Sequence, residues 1–186
     1  MGLRIISGDL KGRKLFSVRG RTVRPTSDRL RESIFNILSS RVQKAVVLDL
    51  FAGTGALGIE ALSRGARSVV FVDQFKSALS VIEQNIISCS LKNRTKIIQC
   101  NIVKELNRIR YTGQIFNLVF MDPPYNKNTI KPALANLHQN RLLENEARII
   151  VEHTALEPIP KDLAAFETAD QRRYGKTVVS FLNYLV

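Results

Sequence analysis

The sequence predicts an α/β fold: a doubly wound, mostly parallel sheet that ends in a C-terminal antiparallel hairpin, with a small basic β-hairpin and helix ahead of it. Three observations predict this. From Ala45 onward, apolar runs of strand length alternate with helix-length segments. The first run, Val46-Val47-Leu48-Asp49-Leu50, leads straight into a glycine-rich turn, Phe51 to Gly58, and then a helix. Near the end, two segments flank Tyr174-Gly175 as an antiparallel hairpin would.

Taken in order, Arg4-Ile5-Ile6-Ser7 and Lys14-Leu15-Phe16-Ser17 read as a basic hairpin, with Gly8-Asp9 and Lys11-Gly12 between them. Arg19 to Arg24 reads as a loop broken by Gly20 and Pro25. A helix follows, capped by Thr26 or Ser27, with Asp28 near the positive end of its dipole. Leu30, Ile34, Ile37 and Leu38 form its apolar stripe, and Arg31 lies at the edge of that stripe. Val46–Leu50 is continuously apolar apart from Asp49, as expected of a parallel strand buried on both faces. The expected order is then a helix over 57–64, a strand over 68–73, a helix over 76–88 and a strand over 96–100. A short helix over 103–109, a strand over 116–121, a helix over 130–140 and a strand over 147–152 follow. Right-handed crossovers between parallel strands give the doubly wound arrangement.

Composition bounds the function. The 186 residues carry 28 Lys and Arg against 16 Asp and Glu, a formal charge of +12. Residues 1–41 hold ten of the basic side chains and three of the acidic ones, so they carry +7. A basic block at one end points to a polyanion such as nucleic acid. Residues 1–41 are therefore expected to be a basic extension, and 42–186 the α/β domain. No apolar run approaches the roughly 20 residues of a membrane span. The N-terminus lacks a secretory apolar block. Cys89 and Cys100 have no metal spacing and fit a reducing cytoplasm. His138 and His153 lack the H-E-x-x-H spacing of a zinc site.

Three features carry chemistry. Gly53, Gly55 and Gly58 satisfy the G-x-G-x-x-G spacing, in which glycines let a ligand approach the backbone and a helix pack on a strand. Asp49 at the end of the strand would repel a pyrophosphate but can hold a cationic or amine-bearing ligand. Asp73, ending the second strand, can accept from both hydroxyls of a ribose. Asp122-Pro123-Pro124-Tyr125 follows the fourth strand. Two prolines remove two N–H donors and stiffen the corner, leaving acceptors for an amino group. Tyr125 adds a flat face for a base.

Together these features look like an S-adenosylmethionine-dependent amino methyltransferase with a Rossmann-like sheet. Several segments resemble the bacterial RsmD family more particularly: Arg4-Ile5-Ile6-Ser7-Gly8, Gly12-Arg13, Arg24-Pro25-Thr26-Ser27-Asp28-Arg29, Arg31-Glu32-Ser33-Ile34-Phe35-Asn36, Gly58 to Gly65 and Tyr174-Gly175-Lys176-Thr177. The resemblance implies methylation of the exocyclic N2 of one guanine in 16S ribosomal RNA. It places Phe51, Gly53 and Gly55 along the methionine part of S-adenosylmethionine, Asp49 near its amino group, and Asp73 on the ribose. Gln74, Asn101 and Ile102 would border the adenine, with Asn101 standing where such enzymes often carry Asp. Asp122 and the Pro123 carbonyl would hold the target amine, Pro124 would stiffen the corner and Tyr125 would stack the guanine. Lys11, Arg13, Lys14, Arg24, Thr26, Arg29 and Arg31 would grip the RNA. The implied reaction is direct in-line transfer without a metal, by a cytoplasmic monomer acting on ribosomal RNA or the 30S subunit. The product would be S-adenosylhomocysteine. Two alternatives are a DNA adenine-N6 or cytosine-N4 methyltransferase, which shares the DPPY chemistry, and a non-catalytic RNA-binding module.

Overall fold

A computed structural model describes residues 2–17 and 27–186. Seven strands form one sheet in the order β3-β2-β1-β4-β5-β7-β6. The strands are β1 (Val46–Leu50), β2 (Ser68–Asp73), β3 (Thr95–Gln99), β4 (Phe116–Met121), β5 (Leu143–Thr154), β6 (Phe166–Tyr174) and β7 (Thr177–Tyr184). The first five run parallel, and β7 pairs antiparallel with both β5 and β6. The helices are α1 (Asp28–Leu38), α2 (Ala56–Ser63), α3 (Lys76–Ser88) and α4 (Ile130–Gln139). The predicted doubly wound sheet with its terminal antiparallel hairpin is what forms.

Strand alternation splits the core into two layers. Val47, Val69, Phe71, Leu118, Phe120, Ile150 and Val179 pack on the side of α1, α2 and α3. Leu48, Val70, Val72, Val119, Met121, Ile149 and Val151 pack on the side of α4. The two-residue period then decides where polar residues at the strand ends face. Asp49, Asp73, Asp122 and Glu152 all fall in step with the first set, so four acids share one face at the carboxyl ends of their strands. The order reverses between β1 and β4, the place where open α/β sheets bind ligands.

Some elements depart from expectation. Residues 4–7 and 14–17 make only one antiparallel bridge, Arg4 to Lys14. The Ile5 and Leu15 amides donate across the hairpin, to the Arg13 and Leu3 carbonyls at 2.9 Å, but other donors go elsewhere: the Ile6 and Ser7 amides donate to the Glu60 carboxylate at 2.7 and 3.0 Å, and the Phe16 amide donates to Asn85 Oδ1 at 2.7 Å. Ile5 and Leu15 join the same apolar cluster as α1 and α2. The segment is thus sewn onto the helical layer on this side of the sheet by side chains of α2 and α3. In α1 the buried stripe is Leu30, Arg31, Ile34, Phe35 and Leu38, capped by Ser27, while Ile37 is exposed. Phe35 takes the inward place against Phe120, ring centroids 5.5 Å apart. The helix expected over 103–109 is a 3-10 turn at Leu106–Thr112, because Asn101 Oδ1 accepts from the Val103 and Lys104 amides and makes 101–105 a turn. β5 extends beyond its apolar run at both ends: Leu143 pairs with Phe116 of β4 across a register shift, and pairing with β7 continues through Glu152 and His153 to Thr154.

Candidate active site

Asp49 is buried and points at the start of α2, where its Oδ2 accepts the Gly58 amide at 3.0 Å. That approach needs glycine. A Cβ on Gly58 would stand 2.4 Å from Phe71 Cε1 and 2.8 Å from Val69 Cγ1, inside any tolerable contact. The turn between β1 and α2 is tightly wound: Phe51, Gly53 and Gly55 have φ of 57°, 58° and 75°. Phe51 in the left-handed region is strained, a condition that collects at ligand sites.

Asp73 ends β2 and braces this turn. Its Oδ2 accepts the Gly53 amide at 3.0 Å and its Oδ1 accepts the Phe75 amide at 2.9 Å. Beyond it opens a groove of about 310 Å³ lined by Gln74, Gln99, Cys100, Asn101, Glu105 and Arg108. Gln74 and Asn101 are therefore brought together. Asn101 spends its carbonyl oxygen on the turn that follows, which leaves its amide group for a ligand. The Ile102 side chain is buried in the cluster that holds Leu134 and Leu137 of α4 and is not among the residues lining the groove. Burial, and then Glu105, push the Cys100 thiol up to about 11, which makes it a poor nucleophile.

Across the switch point, Asp122 and Pro123 follow β4, with Pro123 buried and Pro124 and Tyr125 exposed. The Tyr125 hydroxyl donates to Glu152 Oε1 at 2.7 Å and lies 3.3 Å from Thr177 Oγ1. Glu152, on β5, is nine-tenths buried. Sequence reasoning passed over it, although an acid closing the run Ile149-Ile150-Val151 obeys the same pattern that marked Asp49 and Asp73.

The site is rich in carboxyl groups that crowd one another. Loss of water, and then the charge of Asp73, push Asp49 up to about 8 even though the Gly58 amide pulls the other way. Asp122 is pushed well above the usual carboxylate range by loss of water, then by Glu152 and Asp49. Carboxylates that resist ionisation together favour a ligand that brings positive charge. S-adenosylmethionine, with an ammonium and a sulfonium, fits such a pocket, and a pyrophosphate does not.

The basic residues divide. Lys11, Arg13, Lys14 and Arg29 are exposed, and Arg13 Nη1 donates to the Ser88 carbonyl at 2.7 Å. Arg24 and Thr26 lie outside the described residues. Arg31 differs from these. It is fully buried, with Nη2 donating to Asp28 Oδ1 and to the Arg4 carbonyl, both at 2.8 Å. A guanidinium committed inside the protein is withdrawn from a surface phosphate.

Residues 3–183 match the family profile described as Conserved hypothetical protein 95, that of the RsmD family. The chain belongs to the RsmD family. Among RsmD relatives, it is 34% identical to YlbH of Bacillus subtilis over 178 residues, covering 96% of this chain and 97% of that one. It is also 34% identical to the ribosomal RNA small subunit methyltransferase D of Escherichia coli K12, over 85% of this chain and 78% of that one. The solved structure of yhhF from Escherichia coli superposes with a TM-score of 0.85 at 30% identity, covering 98% of each chain.

Proposed function

We propose that this protein transfers the methyl group of S-adenosylmethionine to the exocyclic N2 amine of a guanine in 16S ribosomal RNA. The observation that carries the proposal is the pairing, at one switch point, of an acceptor-rich corner (Asp122-Pro123-Pro124 with Tyr125) and a glycine turn bracketed by acids (Asp49, Gly53, Gly55, Asp73). The name of the Escherichia coli relative supports small-subunit ribosomal RNA as the substrate class.

When bound, S-adenosylmethionine supplies a methyl group already activated on a positively charged sulfur. Asp49, Phe51, Gly53 and Gly55 would hold its methionine portion, Asp73 the ribose, and Gln74 and Asn101 the adenine. The remaining chemistry belongs to the amine. Its lone pair is delocalised into the purine ring and is a poor nucleophile. Asp122 and the Pro123 carbonyl accept its two N–H bonds, which draws the nitrogen toward tetrahedral geometry and frees the lone pair. Tyr125 stacks the base once it has left its helix. Alignment and charge placement supply the catalysis, in one in-line step. The raised proton affinity of Asp122 suits it to take up the proton that the methylated amine releases.

The exposed Lys11, Arg13, Lys14 and Arg29, with Arg24 and Thr26, would grip RNA phosphates, making residues 1–41 the RNA-binding extension of a 42–186 catalytic domain. We place the protein in the cytoplasm as a monomer acting on the RNA or the 30S subunit, without a metal. Among the described residues no helix is long and apolar enough to cross a membrane. Incubation with labelled S-adenosylmethionine and either 30S subunits lacking the modification or duplex DNA tests the assignment. Label in a 16S guanine supports it; label in DNA alone overturns it.

A further inference from the structure

Residues 152–157 grip the segment after Pro124 at four points. Glu152 Oε1 accepts the Tyr125 hydroxyl at 2.7 Å. Thr154 Oγ1 donates to Asn126 Oδ1 at 2.9 Å. The Glu157 carboxylate accepts the Lys127 amide at 3.2 Å and the Thr129 amide at 3.0 Å. The gripped segment bends twice into the left-handed region at non-glycine residues, Asn126 (φ 57°) and Asn128 (φ 52°). A backbone with two such bends keeps its shape only when its surroundings fix it. Both glutamates are buried to nine-tenths or more, so the grip is built into the protein and does not lie loosely on its surface.

From this geometry we propose that Glu152 is a positioning residue for the target base, locking the Tyr125 ring beside Asp122, and that Thr154 and Glu157 hold the loop that carries the ring. The proposal rests on the reading of Tyr125 as the stacking residue. A purely structural role explains the placement less well. Glu152 puts a buried acid next to Asp122 and raises the proton affinity of that group, a cost that a neutral acceptor such as Gln would avoid. An acid is useful there if the phenol must be held firmly through a charge-assisted bond while Asp122 stays poised to accept protons. The Tyr125 ring remains 41% exposed while its hydroxyl is tied inward, the arrangement of a platform held by its edge.

Three variants and one spectroscopic readout test this. In steady-state methylation of 30S subunits, Glu152→Ala lowers kcat by roughly tenfold to hundredfold, as expected for a misplaced reactant, with KM for S-adenosylmethionine unchanged. Glu152→Gln keeps an acceptor, recovers most of that loss, and shifts the acidic limb of the kcat profile to lower pH. Tyr125→Phe and Glu152→Ala combined lose less than the product of the two single losses, because they share one bond. Separately, in tyrosine-labelled protein, the Tyr125 ring carbon bearing the hydroxyl is assigned by its loss in Tyr125→Phe and changes its NMR shift in Glu152→Ala. Wild-type turnover and an unmoved pH profile in the Glu152 variants overturn the proposal, as do multiplicative rate losses. An unmoved Tyr125 resonance overturns it whether or not the protein methylates RNA. Absence of methyl transfer by the wild-type protein overturns the substrate assignment instead.

Discussion

Asp73 Oδ2 accepts the Gly53 amide at 3.0 Å, tying the end of the second strand to the glycine turn that follows the first. The two halves of the proposed cofactor site are therefore one hydrogen-bonded unit. Asp73→Ala removes two backbone acceptors at once, those of Gly53 and Phe75. We expect a loss of about 1–3 kcal/mol in urea unfolding and, in calorimetry, at least about tenfold weaker S-adenosylmethionine binding. If stability falls while cofactor affinity holds, Asp73 is a loop brace alone.

Asp122 separates catalysis from stability. Asp122→Ala should abolish methyl transfer and leave S-adenosylmethionine binding largely intact. Asp122→Asn should be equally inactive, since an amide turns one acceptor into a donor. Asp122 also stands in unfavourable company with Glu152 and Asp49. Removing its carboxyl should therefore lessen the loss of stability that comes as pH rises above the ordinary carboxylate value. Near-normal turnover in either variant would refute its assignment to the amine.

Asp49 makes a prediction about pH. Its carboxyl moves from an ordinary 3.8 to about 8 in the folded protein. The native state thus binds this proton more tightly than the unfolded chain. Its contribution to stability is fully present below the unfolded value and is lost as pH rises from about 4 to about 8. Asp49→Asn should flatten that decline in a series of urea melts. A cationic ligand favours the ionised form, so S-adenosylmethionine binding should release protons. Its affinity should rise with pH toward about 8. Calorimetry in buffers of different ionisation enthalpy measures the release directly; zero protons released at pH 6.5 would contradict the placement.

The sheet was legible because its strands are apolar on both faces and its turns carry glycine, so periodicity and punctuation agree. The acids Asp49, Asp73 and Asp122 were legible for a related reason: each interrupts or ends an apolar run where no core residue needs a charge. Glu152 obeys the same rule but was masked by the charged extension of its strand, which only the pairing with β7 reveals. Glu60 and Asn85 were invisible in sequence, because each looks like an ordinary polar helix position. They are buried only because the N-terminal segment folds over α2 and α3 and brings its amides to them. Arg31 misled for the opposite reason, since a charge at the edge of an apolar stripe is usually solvated and here is not.

The exposed basic cluster predicts a salt signature. Replacing Lys11, Arg13 and Lys14 by Ala should weaken RNA binding and reduce the slope of log affinity against log salt by about 2–3. S-adenosylmethionine affinity should be unchanged, because none of these residues lines the groove. Filter binding from low to moderate salt measures both numbers. An unchanged slope would return the cluster to being a solvated face.

Arg31 should behave unlike that cluster. Its guanidinium is buried, bridging Asp28 on its own helix to the Arg4 carbonyl of the N-terminal segment. Asp28 is held below the usual carboxylate range by Arg4 and Arg31, against the opposing effect of its partial burial. That linkage contributes stability above the ordinary carboxylate value and loses it as pH falls. Arg31→Ala removes the bond to the Arg4 carbonyl and empties a fully buried side-chain site, so we expect about 1–3 kcal/mol of destabilisation at pH 7. The loss should shrink in acid as Asp28 protonates in variant and wild type alike. At temperatures where the variant is folded, the salt slope of RNA binding should match wild type. A stable Arg31→Ala with a reduced salt slope would place the guanidinium on RNA after all, and would require α1 to open when the substrate binds.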